Sequence, residues 1–269
     1  MRKFLLLGIS ILLLAPLYFM FTGSFQEIYG LLRTPPLLIP RILTLANYRV
    51  LLGTPELARW VLNSMLTVGG GVFISLLVSF SAGYALTFNF RGKRVLTWML
   101  LGALMIPRTA MLIPMFVEMR YLGLLNTIFA AFLPAMLYPF GVFLAKLYIE
   151  TLPRAMAEEA RMCGAGEWRI LGEVIVPQCR PVIGILCLFQ GVGLVNDYLW
   201  QMMTLRFPER MTLAVGLVSR AIEARHMNLP NPIGLRMAAG MVLFVPLVCI
   251  YCIASRYFTA NPLRGVRQW

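Results

Sequence analysis

The sequence predicts an all-α protein that crosses a membrane six times, and three observations support this prediction. First, 59% of the 269 residues are hydrophobic and only 13% are charged, whereas about a quarter of a typical soluble domain is charged. Second, the apolar residues form runs long enough to span a bilayer. Third, the runs are continuous, whereas strands of a membrane barrel would alternate apolar and polar residues.

Six runs are candidate transmembrane helices. Four contain no charged residue, and the other two contain one each, Arg108 in the third and Asp197 in the fifth. The runs are Phe4 to Thr22, Trp60 to Phe90, Val95 to Val117, Tyr121 to Ala145, Pro181 to Leu205 and Met237 to Ser255. Because no fixed-period repeat or low-complexity linker divides the chain, we expect residues 1–269 to form a single transmembrane domain.

The charge pattern predicts how the chain is oriented. Arg91, Lys93 and Arg94 lie in the short connection between the second and third runs, and such basic loops favour the cytoplasmic side. With six crossings, both termini are then cytoplasmic. Arg2 and Lys3 before the first run would also fit a signal peptide, but the long apolar stretch and the lack of a small-residue cleavage site favour a retained helix.

Several classes of function are disfavoured by the residues present. The net charge of +13 is spread over many loops and forms no single basic face, so we expect no nucleic-acid partner and attribute the charge to membrane topology and anionic lipid. Cys249 and Cys252 lie inside the last apolar run, and the single histidine, His226, has no cluster of ligands beside it; we therefore expect no metal site. The sequence has no G-x-x-x-x-G-K-[ST] phosphate loop and is not expected to be an ATPase.

The polar connection from about Lys146 to Arg180 predicts a helix, a glycine turn and a second helix. Good helix formers extend from Arg154 to Cys163, and Gly164 suits the left-handed position that ends a helix. The second helix is predicted from about Glu167 to Val174, with Pro177 stopping it. The residues alone leave two interpretations open: an amphipathic helix resting on the membrane, or a docking element for a cytoplasmic partner.

This connection resembles the EAA loop of ABC importer permeases. Glu158, Ala160, Gly164, Ala165 and Pro177 match the pattern of that loop. Two positions depart from it, because Glu159 replaces the middle alanine and Cys163 replaces the usual aspartate. The resemblance implies an ABC importer permease fold with a cytoplasmic coupling helix. The coupling residues it implies are Glu158, Glu159, Ala160, Cys163, Gly164 and Ala165.

A second resemblance points to the carbohydrate branch of that family, whose members are similar to the maltose transporter permeases. Asn196-Asp197-Tyr198-Leu199-Trp200 is close to the signature of this branch in the fifth span. The resemblance implies a sugar importer in the bacterial inner membrane. It would act with a second permease subunit, two ATPase subunits that hold ATP and Mg²⁺, and an extracytoplasmic solute-binding protein. That protein would meet the outer loop from about Arg206 to Arg236, unless this loop is only a solvated connector.

Two charged residues in the apolar runs are candidates for a translocation pathway. Asp197 is the only aspartate in the chain, and a charge within the bilayer should face the interior of the bundle or water. Asn196, Asp197 and Trp200 would then line the pathway, or Asp197 would make a structural bond. Arg108 is expected either to pair with Asp197 or to lie in a wet crevice if its span breaks at Pro107.

Two other functions remain open. One is a permease for glycerol phosphate or another small solute, because the Asn196-Asp197-Tyr198 signature does not distinguish it from a sugar permease. The other is a secondary transporter, which would need ion-coupling groups within the spans. Arg108 and Asp197 are the only ionisable candidates found there.

Overall fold

The computed structural model describes residues 2–27, 31, 39, 42–226 and 231–258. Within these ranges the chain forms helices and short connections, with no β-strand. The α-helices are α1 Arg2–Ser24, α2 Ala46–Leu52, α3 Leu57–Ala85, α4 Lys93–Met105, α5 Leu112–Tyr121, α6 Ile128–Phe132, α7 Pro139–Ile149, α8 Arg154–Met162, α9 Glu167–Gln178, α10 Arg180–Asn196, α11 Tyr198–Thr204, α12 Leu213–His226 and α13 Pro232–Phe258. Short 3-10 helices cover Arg108–Met111, Leu133–Met136 and Pro208–Arg210.

The described helices provide up to six membrane crossings. Three are single helices that are long and apolar enough to span a bilayer, namely α1, α3 and α13. Three more arise if each bent pair of helices is counted as one crossing: Lys93–Met105 with Arg108–Tyr121, Ile128–Met136 with Pro139–Ile149, and Glu167–Gln178 with Arg180–Asn196. The all-α, polytopic fold class predicted from the sequence is therefore confirmed.

The third span is not the continuous helix that the run Val95 to Val117 suggested. Helix α4 ends at Met105, and the chain turns by 98° before it continues. Pro107 explains the break, because a proline disfavours the helical conformation of the residue before it. Ile106 accordingly has an extended backbone, with φ −80° and ψ 117°. Arg108 thus follows a break in the span and does not lie inside a straight helix.

The fifth apolar run is also interrupted. The predicted span Pro181 to Leu205 is divided at Asp197, which has φ −79° and ψ 47° and separates α10 from α11. The side chain of Gln201 donates to the carbonyl oxygen of Leu194 at 2.6 Å, next to this break. The backbone N–H of Asp197 also donates to Leu194 O, at 3.4 Å, so the Gln201 amide adds a second, shorter hydrogen bond at this helix end.

The chain divides into two compact units. The first comprises Met1–Ser64 and Phe207–Val248, and its core is formed by the buried side chains of Leu51, Trp60 and Leu217 with their neighbours. Part of the expected outer loop is packed in this unit, because Leu213, Val215 and Leu217 of α12 are buried. The alternative of a purely solvated connector is therefore wrong for this part of α12. The single-domain prediction stays a prediction.

The second unit comprises Met65–Arg206 and Cys249–Trp269. Its largest core joins the end of α3 to α7, α9 and the start of α10. Helices α3 and α7 approach closely at Gly83, where an added Cβ would lie 2.9 Å from the backbone nitrogen of Lys146 and 3.0 Å from Cβ of Ala145. Small residues allow such an approach between helices in a membrane.

Candidate functional site

The predicted glycine turn is present between α8 and α9. Gly164 has φ +81°, a left-handed conformation that costs an L-residue with a side chain but not glycine. The backbone N–H of Gly164 donates to Arg161 O at 2.9 Å, and that of Ala165 donates to Ala160 O at 3.0 Å. These two bonds form a Schellman motif, which ends α8 and reverses the chain. The predicted start of the loop is confirmed, because α8 begins at Arg154 directly after Pro153.

The turn presents its predicted coupling residues on two faces. Glu158, Glu159, Cys163 and Gly164 are exposed, whereas Ala160 and Ala165 pack against the large core of the second unit. Two exposed apolar side chains flank the turn and were not predicted as site residues: Met162 is 81% exposed and Trp168 is 76% exposed. Exposed apolar side chains suit contact with lipid or with a partner protein, so they fit both interpretations of this connection.

Helix α9 fixes the turn to the rest of the unit. Its residues Ile170, Leu171 and Ile175 are buried in the same core as Phe80 and Tyr84 of α3. That core also contains Ala145 and Ile149 of α7 and Val182 and Leu186 of α10. A force applied to the turn therefore reaches the ends of three apolar helices through packed side chains.

A polar cluster joins α8 to the start of α9 across the turn. Arg161 of α8 donates through Nε to Oε1 of Glu167 at 2.6 Å and through Nη2 to Oε2 at 3.1 Å. The phenol of Tyr84 donates to Oε2 of Glu167 at 2.6 Å, and Arg161 Nη2 lies 3.1 Å from the same phenol oxygen. The hydrogen bond to Glu167 raises the pKa of the Arg161 guanidinium, so this residue stays charged. Arg161 also lies over the ring of Phe88, 5.5 Å from its centre.

Helix α9, the second helix of this connection, is longer than predicted. We expected it to end near Val174, with Pro177 as the stop, but α9 continues to Gln178. The segment Ile170–Ile175 is a π-helix, whose wider turn changes the hydrogen-bond register. Pro177 falls in the first turn of the short α-helical stretch Val176–Gln178 that follows, where a missing N–H is tolerated.

The two charged residues of the apolar runs meet in the structure. Arg108 Nη2 lies 2.7 Å from Asp197 Oδ2, and the side chains are 47% and 12% exposed respectively. Each residue lies at a break in its span, after Pro107 and between α10 and α11. An ion pair at this place joins the third and fifth spans, and the half-exposed guanidinium remains accessible from outside the protein.

The other two predicted pathway residues have different environments. Asn196 is the last residue of α10 and is exposed. Trp200 is only 1% exposed, and its indole Nε1 donates to Ala130 O at 2.9 Å. The ring is enclosed by Met119, Ala130 and neighbouring apolar side chains, so in this conformation its faces are not open to a solute.

Among the described residues, no group of three or more His, Cys, Asp or Glu side chains is arranged to hold a metal ion. The five cysteines are free thiols, including exposed Cys163 at the turn and the pair Cys249 and Cys252 in α13.

Comparison with known proteins identifies the family. The family model described as "Binding-protein-dependent transport system inner membrane component" matches residues 71–261. The arabinooligosaccharides transport system permease protein AraQ of Halalkalibacterium halodurans is 31% identical, with 94% of this chain and 90% of that protein covered. The sn-glycerol-3-phosphate transport system permease protein UgpE of Brucella abortus is 25% identical, with 94% and 92% covered.

A solved structure also resembles this chain along nearly its whole length. It belongs to a bacterial ABC transporter involved in the import of the acidic polysaccharide alginate. The two chains superpose with a TM-score of 0.80 at 25% sequence identity, covering 96% of this chain and 95% of the other. Since the family model matches well over half of the sequence and AraQ matches almost all of it, the chain belongs to the family of inner membrane components of binding-protein-dependent transport systems.

Proposed function

We propose that the chain is the permease subunit of an ATP-driven importer of sugars, and that it works with a separate ATPase, a second permease subunit and a solute-binding protein. Family membership supports the transport role. The saccharide class rests on AraQ as a relative, on the alginate importer as a structural neighbour, and on the Asn196-Asp197-Tyr198-Leu199-Trp200 segment. ATP and Mg²⁺ would be held by the ATPase subunits.

The observation that carries the coupling role is the braced, exposed turn around Gly164. Hydrogen bonds among Arg161, Glu167 and Tyr84 hold α8 and α9 in a fixed relative position. Met162 and Trp168 provide exposed apolar surface beside the turn. An ATPase that seated these side chains would move the core of α3, α7, α9 and α10 through packed contacts. Such a rigid-body movement is how a bistable transporter alternates between two states.

We place the turn and both termini in the cytoplasm. The basic connection Arg91, Lys93 and Arg94 supports this orientation. It adjoins the turn, because Arg161 of α8 lies over Phe88 just before that connection. Six crossings then return the end of the chain to the side on which it began.

The solute-binding protein would meet the opposite side of the membrane at the short 3-10 turn Pro208–Arg210. Phe207 before this turn is 58% exposed, and Pro208, Glu209 and Arg210 are exposed. The backbone of the turn is held from α3: Trp60 Nε1 donates to Pro208 O at 2.7 Å, and Asn63 Nδ2 donates to Glu209 O at 3.0 Å. A rigid, mixed polar and apolar projection of this kind suits a transient protein contact.

The translocation pathway would pass the Arg108–Asp197 pair. Asn196 and the half-exposed Arg108 are the accessible groups there, and amide and guanidinium donors suit sugar hydroxyls. Trp200 would contribute by supporting α11 from within.

The test is to reconstitute the complete transporter in vesicles and measure ATP hydrolysis and uptake with a panel of solutes, each with its binding protein. We expect an oligosaccharide to stimulate ATP hydrolysis and to accumulate inside, while glycerol phosphate does neither. Stimulation by glycerol phosphate alone would replace the sugar proposal with the alternative. Uptake driven by an ion gradient without the ATPase would refute the importer proposal.

A further inference from the structure

Two buried carbonyl groups of the fourth span lack their usual backbone donors, one because of a proline and one because a 3-10 helix ends. In an α-helix the carbonyl of residue i accepts from the N–H of residue i+4, and proline has no N–H. Pro134 therefore provides no donor for Ala130 O. Ala135 lies in the 3-10 helix Leu133–Met136, and the backbone N–H of Tyr138, which a continued 3-10 helix would direct at Ala135 O, donates to Met136 O instead. Ala130 is fully buried and Ala135 is 3% exposed, so neither carbonyl turns to water.

The first of these carbonyls is satisfied by the fifth span. Trp200 Nε1 donates to Ala130 O at 2.9 Å. Two further bonds join the same segments close by: the N–H of Asn126 donates to Thr204 O at 2.8 Å, and the N–H of Arg206 donates to Asn126 Oδ1 at 2.7 Å. Both ends of α11 are thus tied to the segment that contains α6.

The second carbonyl is satisfied by two side chains. Gln190 Nε2 of α10 lies 3.2 Å from Ala135 O and 2.9 Å from Ser75 Oγ. Ser75 Oγ of α3 lies 2.7 Å from Ala135 O and 2.6 Å from Gly71 O. A hydroxyl has one proton and an amide nitrogen has two, so Gln190 can donate to both of its acceptors while Ser75 donates to one. Ser75 and Gln190 are themselves buried, at 1% and 8% exposure.

We propose that Trp200 and Gln190 are positioning residues that donate to the two carbonyl groups left without backbone donors, one by Pro134 and one by the end of the 3-10 helix, and that they thereby hold the broken fourth span and the fifth span together as one body during transport. This inference rests on the proposed function. Its consequence is local to the pathway, because Asp197 lies three residues before Trp200 at the start of α11. If α11 were free to shift, the carboxylate of Asp197 would lose its place beside Arg108.

The test exploits the cause of the missing donor. Trp200→Phe keeps an aromatic ring but removes the N–H, and Pro134→Ala returns a backbone N–H that can reach Ala130 O. We expect Trp200→Phe to lower sugar uptake per ATP hydrolysed about three- to tenfold, the range that the loss of one hydrogen bond corresponds to. The double variant Trp200→Phe/Pro134→Ala should recover most of that loss, and Trp98→Phe, whose ring is 63% exposed on α4, should have no effect.

A second pair of variants provides a test if Trp200→Phe does not fold. Gln190→Met alone should have a small effect, because the Ser75 hydroxyl can turn from Gly71 O to Ala135 O. Gln190→Met/Ser75→Ala, which removes both donors to Ala135 O, should lower sugar uptake per ATP hydrolysed strongly. If Pro134→Ala fails to rescue Trp200→Phe, or if Gln190→Met/Ser75→Ala behaves as wild type, the positioning role is refuted.

The outcomes separate this inference from the proposed function. The thermal midpoint of each purified complex is measured beside uptake, and it reports the hydrogen bonds whether or not a sugar is carried. A wild-type complex that carries no sugar would refute the proposed function, while a rescue of the thermal midpoint would still support the bonds. Normal wild-type uptake without rescue by Pro134→Ala would refute the inference alone.

Discussion

Arg161 and Glu167 form a two-pronged ion pair across the glycine turn, with Nε 2.6 Å from Oε1 and Nη2 3.1 Å from Oε2. Arg161 lies in α8 and Glu167 is the first residue of α9, so the ion pair bridges the turn. We call this ion pair the brace. Tyr84 of α3 joins the same carboxylate. The turn and the end of the second span therefore share one polar cluster, and a substitution in either of them should disturb the other.

We predict that Arg161→Gln weakens coupling without preventing assembly. Both partners are partly solvated, with 36% and 50% of their side chains exposed, so the pair should contribute about 1 kcal/mol or less. Uptake per ATP hydrolysed should then fall by about two- to fivefold, the factor that such an energy gives. The matched control is Arg169→Gln, which removes an exposed pair with Glu173 one turn along α9. Equal effects of the two variants would show that the brace has no special role.

Any side chain at position 164 should impair uptake, because it disfavours the backbone conformation of the turn. A Cβ at Gly164 would meet no atom within 4 Å, but φ is +81°, which costs an alanine about 1 kcal/mol. Gly164→Ala should reduce uptake several-fold, and Gly164→Pro should abolish it, since proline also removes the N–H that binds Arg161 O. ATP hydrolysis by the assembled complex should continue in both variants.

Gly166 supplies the control for the glycine prediction. It lies two residues further on, also has open space around an added Cβ, and has φ −72°. Gly166→Ala should therefore behave as wild type in the same uptake and hydrolysis assays. Normal uptake by Gly164→Pro at normal expression would contradict the docking role of this turn.

The sequence predicted the features of this protein that depend on local chemistry. Gly164 ends α8 in a left-handed conformation because glycine there has no steric cost. The sequence left a break at Pro107 as one of two alternatives for Arg108, and the break follows from the restriction that proline places on the residue before it. Both signals lie within a few residues of the feature that they predict. The apolar runs likewise overlap the three single helices and the three bent pairs of helices that could cross a bilayer, since length and composition decide such candidates.

The features that the sequence did not reveal depend on residues far apart in the chain. The polar cluster at the turn joins Tyr84 to Arg161 and Glu167, and no local sequence pattern relates these positions. The break at Asp197 has no glycine or proline beside it, and it is accompanied by contacts such as Gln201 with Leu194 and Trp200 with Ala130. Trp200 also shows why a motif does not specify exposure, because this residue of the Asn196-Asp197-Tyr198-Leu199-Trp200 segment is only 1% exposed.

The Arg108–Asp197 pair should respond unequally to the loss of its two partners. Arg108→Gln would leave a carboxylate that is only 12% exposed without its counter-charge, whereas Asp197→Asn would leave a guanidinium that is 47% exposed and can be hydrated. We therefore predict that Arg108→Gln lowers the thermal midpoint of the purified complex more than Asp197→Asn does. The double variant should be less destabilised than the sum of the two changes, because neither charge is then unpaired. Additive effects would indicate that the two side chains do not depend on each other.

The contact with the solute-binding protein can be tested through the residue that holds its proposed docking turn. Trp60 is 4% exposed and donates to Pro208 O at 2.7 Å, so Trp60→Phe keeps most of the buried ring but releases the turn. We expect basal ATP hydrolysis to stay unchanged while the concentration of binding protein needed for half-maximal stimulation rises about three- to tenfold, as expected for one lost hydrogen bond.

A change at the turn itself distinguishes a loosened backbone from a lost contact. Phe207→Ala removes a side chain that is 58% exposed. It should therefore raise the concentration of binding protein needed for half-maximal stimulation without lowering the thermal midpoint. Trp60→Phe should change both quantities, because the Trp60 ring lies in the core of the first unit and its hydrogen bond to Pro208 O is partly buried. If neither variant alters the response to the binding protein, the docking surface is elsewhere, and Trp60 acts only in holding α3 to the segment that precedes α12.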